Sequence, residues 1–206
     1  MVVPGRTRNA FVEKLAREFE SHHLRQKGEN MREFTQEELE KLKKLTAAQL
    51  TDNGICPTCF NRLTNGAVYG DESQMKLYED GDIYCMLVPN PRADGHAIIG
   101  TMTHYQDMSE APHEINEKII RFSKYMMTLI KKIYGCERVY LCTMCDGPAN
   151  HYHIQLIPRY ANEKRGSDNF VKPRKQYVHD QDKVDDLRRE LKHFADSIYG
   201  VSLCEH

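Results

Sequence analysis

The segment Asn150-His151-Tyr152-His153-Ile154-Gln155-Leu156-Ile157-Pro158-Arg159-Tyr160 alternates imidazole or amide side chains with apolar ones until it meets a proline. A period of two is that of a half-buried strand, so the pattern predicts His151, His153 and Gln155 on one face. Two imidazoles and an amide are costly to bury without partners, and a purely solvated strand face has no need of two histidines. Histidines at alternate positions also occur on exposed sheet faces, but the rest of this chain weighs against that reading. The face is read as a site, where imidazole offers a nucleophile or a metal ligand near neutral pH.

A second group of residues suits metal. Cys56-Pro57-Thr58-Cys59 has the spacing that lets two thiolates grip one tetrahedral ion, with Pro57 preorganising the turn. A closed site needs two more ligands, and the candidates are His104 and His151. Thiolate with imidazole points to zinc in a structural role, because four protein ligands leave no open position for water. Cys142-Thr143-Met144-Cys145 is a weaker rival, since on a strand Cys142 and Cys145 would face opposite ways and buried free cysteine is a common small hydrophobe. A redox role for Cys56 and Cys59 lacks the βαβ setting such motifs want.

The elements that must position these groups follow from periodicity and breakers. Phe11, Leu15 and Phe19 predict one helix, and Leu39, Leu42 and Leu45 a second, opened by a capping box of Thr35 and Glu38. Asp52-Asn53-Gly54 breaks that pattern. Met75 to Glu79 and Ile83 to Val88 read as strands joined through Asp80-Gly81, a pair suited to a primed hairpin turn. Gly95 to Thr103 reads as another strand. Ile115, Ile119, Phe122, Met126 and Ile130 form one apolar stripe on a helix ending near Tyr134-Gly135. Val139 to Met144 is a strand, Asp146-Gly147-Pro148 a turn, and the histidine-bearing strand follows. A polar loop from about Ala161 to Lys175 precedes a last amphipathic helix carrying Val184, Leu187, Leu191, Phe194 and Ile198. The order predicts an α+β fold with a mostly antiparallel sheet, helices covering one face and chemistry on the other.

The organisation expected is a helical extension over residues 1–53, a catalytic domain over 54–160, and a C-terminal loop and helix over 161–206 packing on that domain. The 29 Lys and Arg against 30 Asp and Glu give a formal charge of −1, scattered without long blocks of one sign, so neither a nucleic-acid track nor a membrane surface is expected. No apolar run approaches the ~20 residues of a spanning helix, and the N-terminal residues lack a signal-peptide core, which points to the cytoplasm. Seven cysteines, four of them in two CxxC pairs, favour reduced thiols and metal over disulfides.

With these residues in view the chain resembles the histidine triad (HIT) superfamily of nucleotidyl hydrolases and transferases. Gly95-His96 followed by the apolar run to Thr103 and then His104 is similar to that family's strand-and-turn segment. His151-Tyr152-His153-Ile154-Gln155 is similar to its signature. The resemblance spans roughly Cys56 to Tyr160 and implies a HIT-like fold. Gln155 stands where the commonest members have a third histidine, a variant typical of the transferase and phosphorylase branch. The zinc-binding members imply a ligand set of Cys56, Cys59, His104 and His151.

The resemblance implies attack of His153 on an α-phosphorus to give a covalent nucleotidyl-imidazole, with its other ring nitrogen held by a backbone carbonyl. Gln155 would bind a phosphate oxygen without supplying a proton to the leaving group, which suits groups that already depart as stable phosphates. Catalysis is thus expected from His153, Gln155 and His151, substrate binding from Asn150, His96 and Asn90. His96 is expected to orient the strand or a phosphate, or simply to be a hydrogen-bonded structural histidine. The partners implied are a nucleotide or nucleotide-sugar, phosphate or another acceptor, and a second copy of the chain as one open outcome. Hydrolysis of dinucleoside polyphosphates or nucleoside phosphoramidates is the alternative activity, and a non-catalytic nucleotide-binding domain a further one. Arg159, Lys164, Arg165, Lys172 and Arg174 follow the strand and are read as solvated loop charge before phosphate contacts. The chain departs from the family where an Asp or Asn usually grips the ribose, the position being Val88, so Asn90 is the substitute considered. It also lacks the Lys that often precedes the second histidine and the Gly-Gln element before His151.

Overall fold

Thr35 and Thr46 each open a short helix by the same device. In α1, Gln36–Leu42, the Thr35 hydroxyl accepts from the Glu38 backbone N–H while the Glu38 carboxylate accepts from the Thr35 N–H. In α2, Ala47–Asp52, Gln49 reciprocates with Thr46 in the same way. The computed structural model describes residues 35–145, 147 and 149–200, the side chains of 193–200 excepted. The predicted helix of Phe11, Leu15 and Phe19 lies outside those residues, as do Asp146 and Pro148 of the predicted turn. The single helix expected through Leu45 is replaced by two, because α1 ends at Leu42 and Thr46 caps the chain afresh. Leu42 and Leu50 then meet Ile55, Cys56, Cys59 and Phe60 in one small core, with α3, Pro57–Leu63, supplying the cysteines.

Contacts divide the chain into two units. One holds the described residues up to Glu72 together with Cys145–His151, and the other holds Ser73–Met144 and the described residues from Tyr152 onward.

The second unit is built on a five-stranded sheet with every neighbouring pair antiparallel. Its strands are β1, Lys76–Glu79; β2, Ile83–Leu87; β3, Ala97–Thr101; β4, Arg138–Cys142; and β5, His153–Arg159, in the spatial order β1-β2-β3-β5-β4. The α+β class and the antiparallel sheet are as the sequence predicts. The turn between β1 and β2 is different in kind. Gly81 does not adopt the positive φ a type I′ turn requires; instead the Asp80 carboxylate accepts from the N–H groups of Asp82 and Ile83 at 2.8 and 3.0 Å, closing an Asx-type turn.

Pro158 sits inside β5 although a central strand resists proline. Pairing of β3 with β5 runs only from Gly100↔His153 to Ala97↔Leu156, so by Pro158 the strand has one neighbour left, β4, and the missing N–H costs no ladder bond on the β3 side.

One face of this sheet is closed by α4, His113–Tyr134, and α5, Gln181–Gly200. The stripe of α4 is core as predicted: Ile119, Phe122, Met126 and Ile130 are buried against Ile83, Cys85, Leu87, Ile99, Ile154 and Leu156, with Val184, Leu187 and Leu191 of α5. Each large aliphatic or aromatic side chain so buried contributes about 1.5–3 kcal/mol, and truncating Phe122 to Ala would cost about 3–5 kcal/mol. Gly135 ends α4 in the left-handed region at φ 69°, its N–H donating to the Lys131 carbonyl. Among the described residues no helix is long and apolar enough to cross a membrane.

Candidate functional site

The opposite sheet face carries two of the residues singled out for chemistry, His153 and Gln155. Directly opposed residues of antiparallel strands share a face, so Tyr84, Gly100 and His153 form one row across β2, β3 and β5, and Met86, Ile98, Gln155 and Cys142 the next. His153 is half-buried at the first position of β5, and its carbonyl accepts from the Thr143 hydroxyl at 2.9 Å. Gly100 beside it has a packing reason to be glycine. A Cβ there would lie 2.4 Å from Cε1 of Tyr84 and 2.6 Å from its hydroxyl oxygen, so the tyrosine ring occupies the space that a side chain would need.

His96 and Gln155 are brought together in the buried part of this face, 0% and 4% exposed. The Arg92 backbone N–H donates to His96 Nδ1 at 3.1 Å, and His96 Nε2 lies 3.1 Å from Gln155 Oε1. A backbone N–H only donates, so Nδ1 is the acceptor and the ring proton belongs on Nε2. That proton is donated to the Gln155 oxygen, which orients the amide and turns its NH2 away from His96. Burial, helped by the Arg174 charge, lowers the His96 pKa to about 3, which keeps the imidazole neutral and this polarity fixed.

The other predicted substrate groups are arranged differently. Asn90 is exposed, and its carbonyl accepts from Arg174 Nη1 at 3.3 Å. The Val88 side chain is buried, and its carbonyl accepts from His179 Nε2 at 2.8 Å. Arg159 is not solvated loop charge: it is 3% exposed and pairs with Glu137 at 2.9 Å, because β5 continues past Pro158 and carries it into the sheet.

His151 leaves the strand that the alternation assigned to it. β5 begins at His153, and His151 belongs to the first unit, where it is buried with Cys56 and Cys59. Its Nδ1 lies 3.6 Å from Cys56 Sγ and 3.3 Å from Cys59 Sγ. Cys56 is the N-cap of α3 and Pro57 its first residue, so the Cys59 N–H points back at Cys56 Sγ, 3.5 Å away. Two buried sulfurs facing one imidazole nitrogen form a soft donor set of the kind zinc takes. The Cys56 sulfur beside it, together with burial, pushes the Cys59 thiol well above its ordinary range. Asn150 is half-buried in the same unit. His104 is half-buried beyond the end of β3 in the second unit. Cys142 is the last residue of β4 and Cys145 is exposed beyond it; no disulfide joins the described cysteines.

Sequence reasoning passed over Arg92 and Tyr84. Arg92 acts on His96 through its main chain, which leaves no side-chain pattern, whereas Tyr84 was legible in principle as a large ring on a strand adjoining the glycine-bearing one.

Residues 48–170 match the model of the family described as protein similar to CwfJ C-terminal. The chain belongs to this family. The histidine triad resemblance of this CwfJ C-terminal member is shown as well by its curated relatives. It is 29% identical over 96 residues to adenylylsulfatase HINT3 of Arabidopsis thaliana, covering 45% of this chain and 49% of that one. It is 28% identical over 102 residues to an uncharacterized HIT-like protein of Borreliella burgdorferi, covering 45% and 73%. The chain spans about half the length of the plant protein. Among solved structures, a Zn-bound histidine triad family protein from Mycobacterium smegmatis superposes with TM-score 0.52 at 17% identity, over 69% of this chain and 96% of that one. At that identity the likeness establishes the fold, which is HIT-like.

Proposed function

We propose that this CwfJ C-terminal family protein transfers a nucleotidyl group through His153. The observation that carries this reading is the polarity of the His96–Gln155 bond, which leaves the Gln155 amide as a donor on the face where His153 stands. Phosphoryl-type transfer asks chiefly for a positioned nucleophile and donors aimed at the phosphate oxygens. An imidazole nitrogen of His153 attacks the α-phosphorus, the P–N bond forms, and the P–O bond to the leaving group breaks with its electron pair going to that oxygen. Gln155 donates to a non-bridging oxygen as charge builds. An acceptor oxygen, from inorganic phosphate or a sugar phosphate, then attacks phosphorus from the opposite side and the P–N bond breaks. Gln155 has no proton to give, so the leaving group must depart as a stable anion, which supports transfer or phosphorolysis of a phosphoanhydride.

Cys56, Cys59 and His151, with His104 as fourth ligand, are assigned to one zinc ion. Cys56, Cys59 and His151 are brought together within the first unit, and the Mycobacterium smegmatis neighbour is named as Zn-bound. When bound the ion supplies structure, pinning the chain immediately ahead of β5 and hence the entry to His153.

A hydrolase is the second reading, favoured by the relative named adenylylsulfatase. Phosphorus NMR of the protein with a diadenosine polyphosphate, with and without inorganic phosphate, separates the two. ADP formed only with phosphate present is expected; AMP in both samples would make water the acceptor and overturn the transferase reading.

A further inference from the structure

The loop following β5 returns to the residues just ahead of His96. The Lys175 N–H donates to the Pro91 carbonyl at 3.1 Å, Arg174 Nη1 to the Asn90 carbonyl at 3.3 Å, and Arg92 Nη1 to the Lys172 carbonyl. Residues 172–175 are thereby laced to 90–92, and the lacing brings two guanidinium groups to one place. The neighbouring cations have partners: Arg159 pairs with Glu137 and Lys172 with Glu163. Arg92 and Arg174 pair with no carboxylate among the described residues, and Arg92 Nε is buried without a hydrogen-bond partner. Each cation acts on the surroundings of the site. Arg92 and burial both disfavour the charge on Arg174, both arginines disfavour a proton on His96, and Arg92 acts on Cys142, which stands opposite Gln155.

Two like charges held together, with a buried donor unused, cost free energy that an anion would recover. The position is specific, since the Arg92 main chain holds His96 and His96 holds Gln155.

We propose that Arg92 and Arg174 form an oxyanion subsite for the part of the substrate beyond the α-phosphate. Such a subsite takes a tetrahedral oxyanion, phosphate or sulfate, as leaving group and as incoming acceptor. The inference rests on the reading of His153 as nucleophile, and it narrows the substrate class to nucleotides whose leaving group carries its own negative charge, over phosphoramidates with a neutral amine. Guanidinium suits this task through its planar set of donors.

The test begins with calorimetric titration of the full chain with pyrophosphate. Wild type and His153→Ala should both bind, whereas Arg174→Gln and Arg92→Gln should each bind at least about tenfold more weakly and Arg174→Lys should recover part of the loss. Because Arg174 is exposed, its variants fold, and thermal melts check this for Arg92→Gln. No binding by wild type, or equal affinity in Arg174→Gln, overturns the subsite. Turnover then identifies the source of the oxyanion. Arg174→Gln should lose at least about tenfold in kcat/KM on a diadenosine polyphosphate or on adenylyl sulfate, while adenosine phosphoramidate changes by less than about twofold. A loss confined to the polyphosphate assigns phosphate, and one confined to adenylyl sulfate assigns sulfate. An equal loss on all three substrates contradicts the proposal. Full turnover by His153→Ala would sink the nucleophile reading, a failure visible separately from the pyrophosphate titration.

Discussion

The Nε2 proton of His96 is donated to Oε1 of Gln155 across 3.1 Å, and its direction is set by the Arg92 N–H bound to the other ring nitrogen. A histidine outside the signature therefore decides which end of the signature glutamine is held and which is left to the rest of this face.

Gln155→Glu tests that relationship with little change in shape. The carboxylate still accepts from His96 but presents an acceptor, where the amide presented a donor, to a phosphate oxygen. The expected outcome is a fall in kcat of about 100-fold or more, with the melting temperature changed far less than by a core truncation. Steady-state kinetics beside a thermal melt check it, and a near-normal kcat would remove Gln155 from the chemistry.

Stability should depend on pH through His96. Its folded pKa is about 3 against an ordinary value of 6.5, with burial the main cause and Arg174 the next. Between those values the unfolded chain binds a proton that the folded one excludes. The contribution is complete above about pH 6.5 and is lost as pH falls toward 3, by up to about 1.4 kcal/mol per pH unit from this group alone. Denaturant unfolding of wild type and His96→Asn across that window should give a flatter profile for the variant, and equal slopes would count against it.

Gly100→Ala should destabilise by about 1–3 kcal/mol, because the new methyl meets the Tyr84 ring at 2.4 Å. Adding Tyr84→Ala should recover part of that cost, since the clash partner is gone. Chemical denaturation of the two single variants and the double variant measures the coupling, and strict additivity would mean the ring is not the obstacle.

Zinc should be present at about one ion per chain by elemental analysis. Cys56→Ser is expected to lose the ion and unfold at lower temperature, with a larger effect on melting than on the kcat of the protein that stays folded. A melt unchanged by a strong chelator would contradict a structural zinc.

Much of this was legible in the sequence, and the exceptions have physical reasons. The stripe from Ile119 to Ile130 became the buried face of α4 because a 3.6-residue period leaves few alternatives. Thr35 with Glu38 and Thr46 with Gln49 cap helices by local bonds that a short window contains, and the second pair is masked in the sequence by the leucine spacing that runs on to Leu45. Period two places His153 and Gln155 on one face but gives no sign of where the strand starts, so it extends the strand back to His151, two residues ahead of where β5 begins. Asp80 closes its turn with a side chain, which a rule based on the Asp-Gly pair misses. The bond from the Arg92 main chain to His96, and the return of residues 172–175 to 90–92, are tertiary contacts that periodicity does not carry.

Trapping the intermediate is the most direct measurement. The protein is mixed with a diadenosine polyphosphate in the absence of acceptor, quenched under mildly alkaline conditions that spare a phosphorus–nitrogen bond, and mapped by peptide mass spectrometry. An adenylyl group on His153, lost when acceptor is added and absent from His153→Ala, is the predicted result. Turnover without an adduct, or an adduct at another residue that persists in His153→Ala, would contradict nucleotidyl transfer through His153.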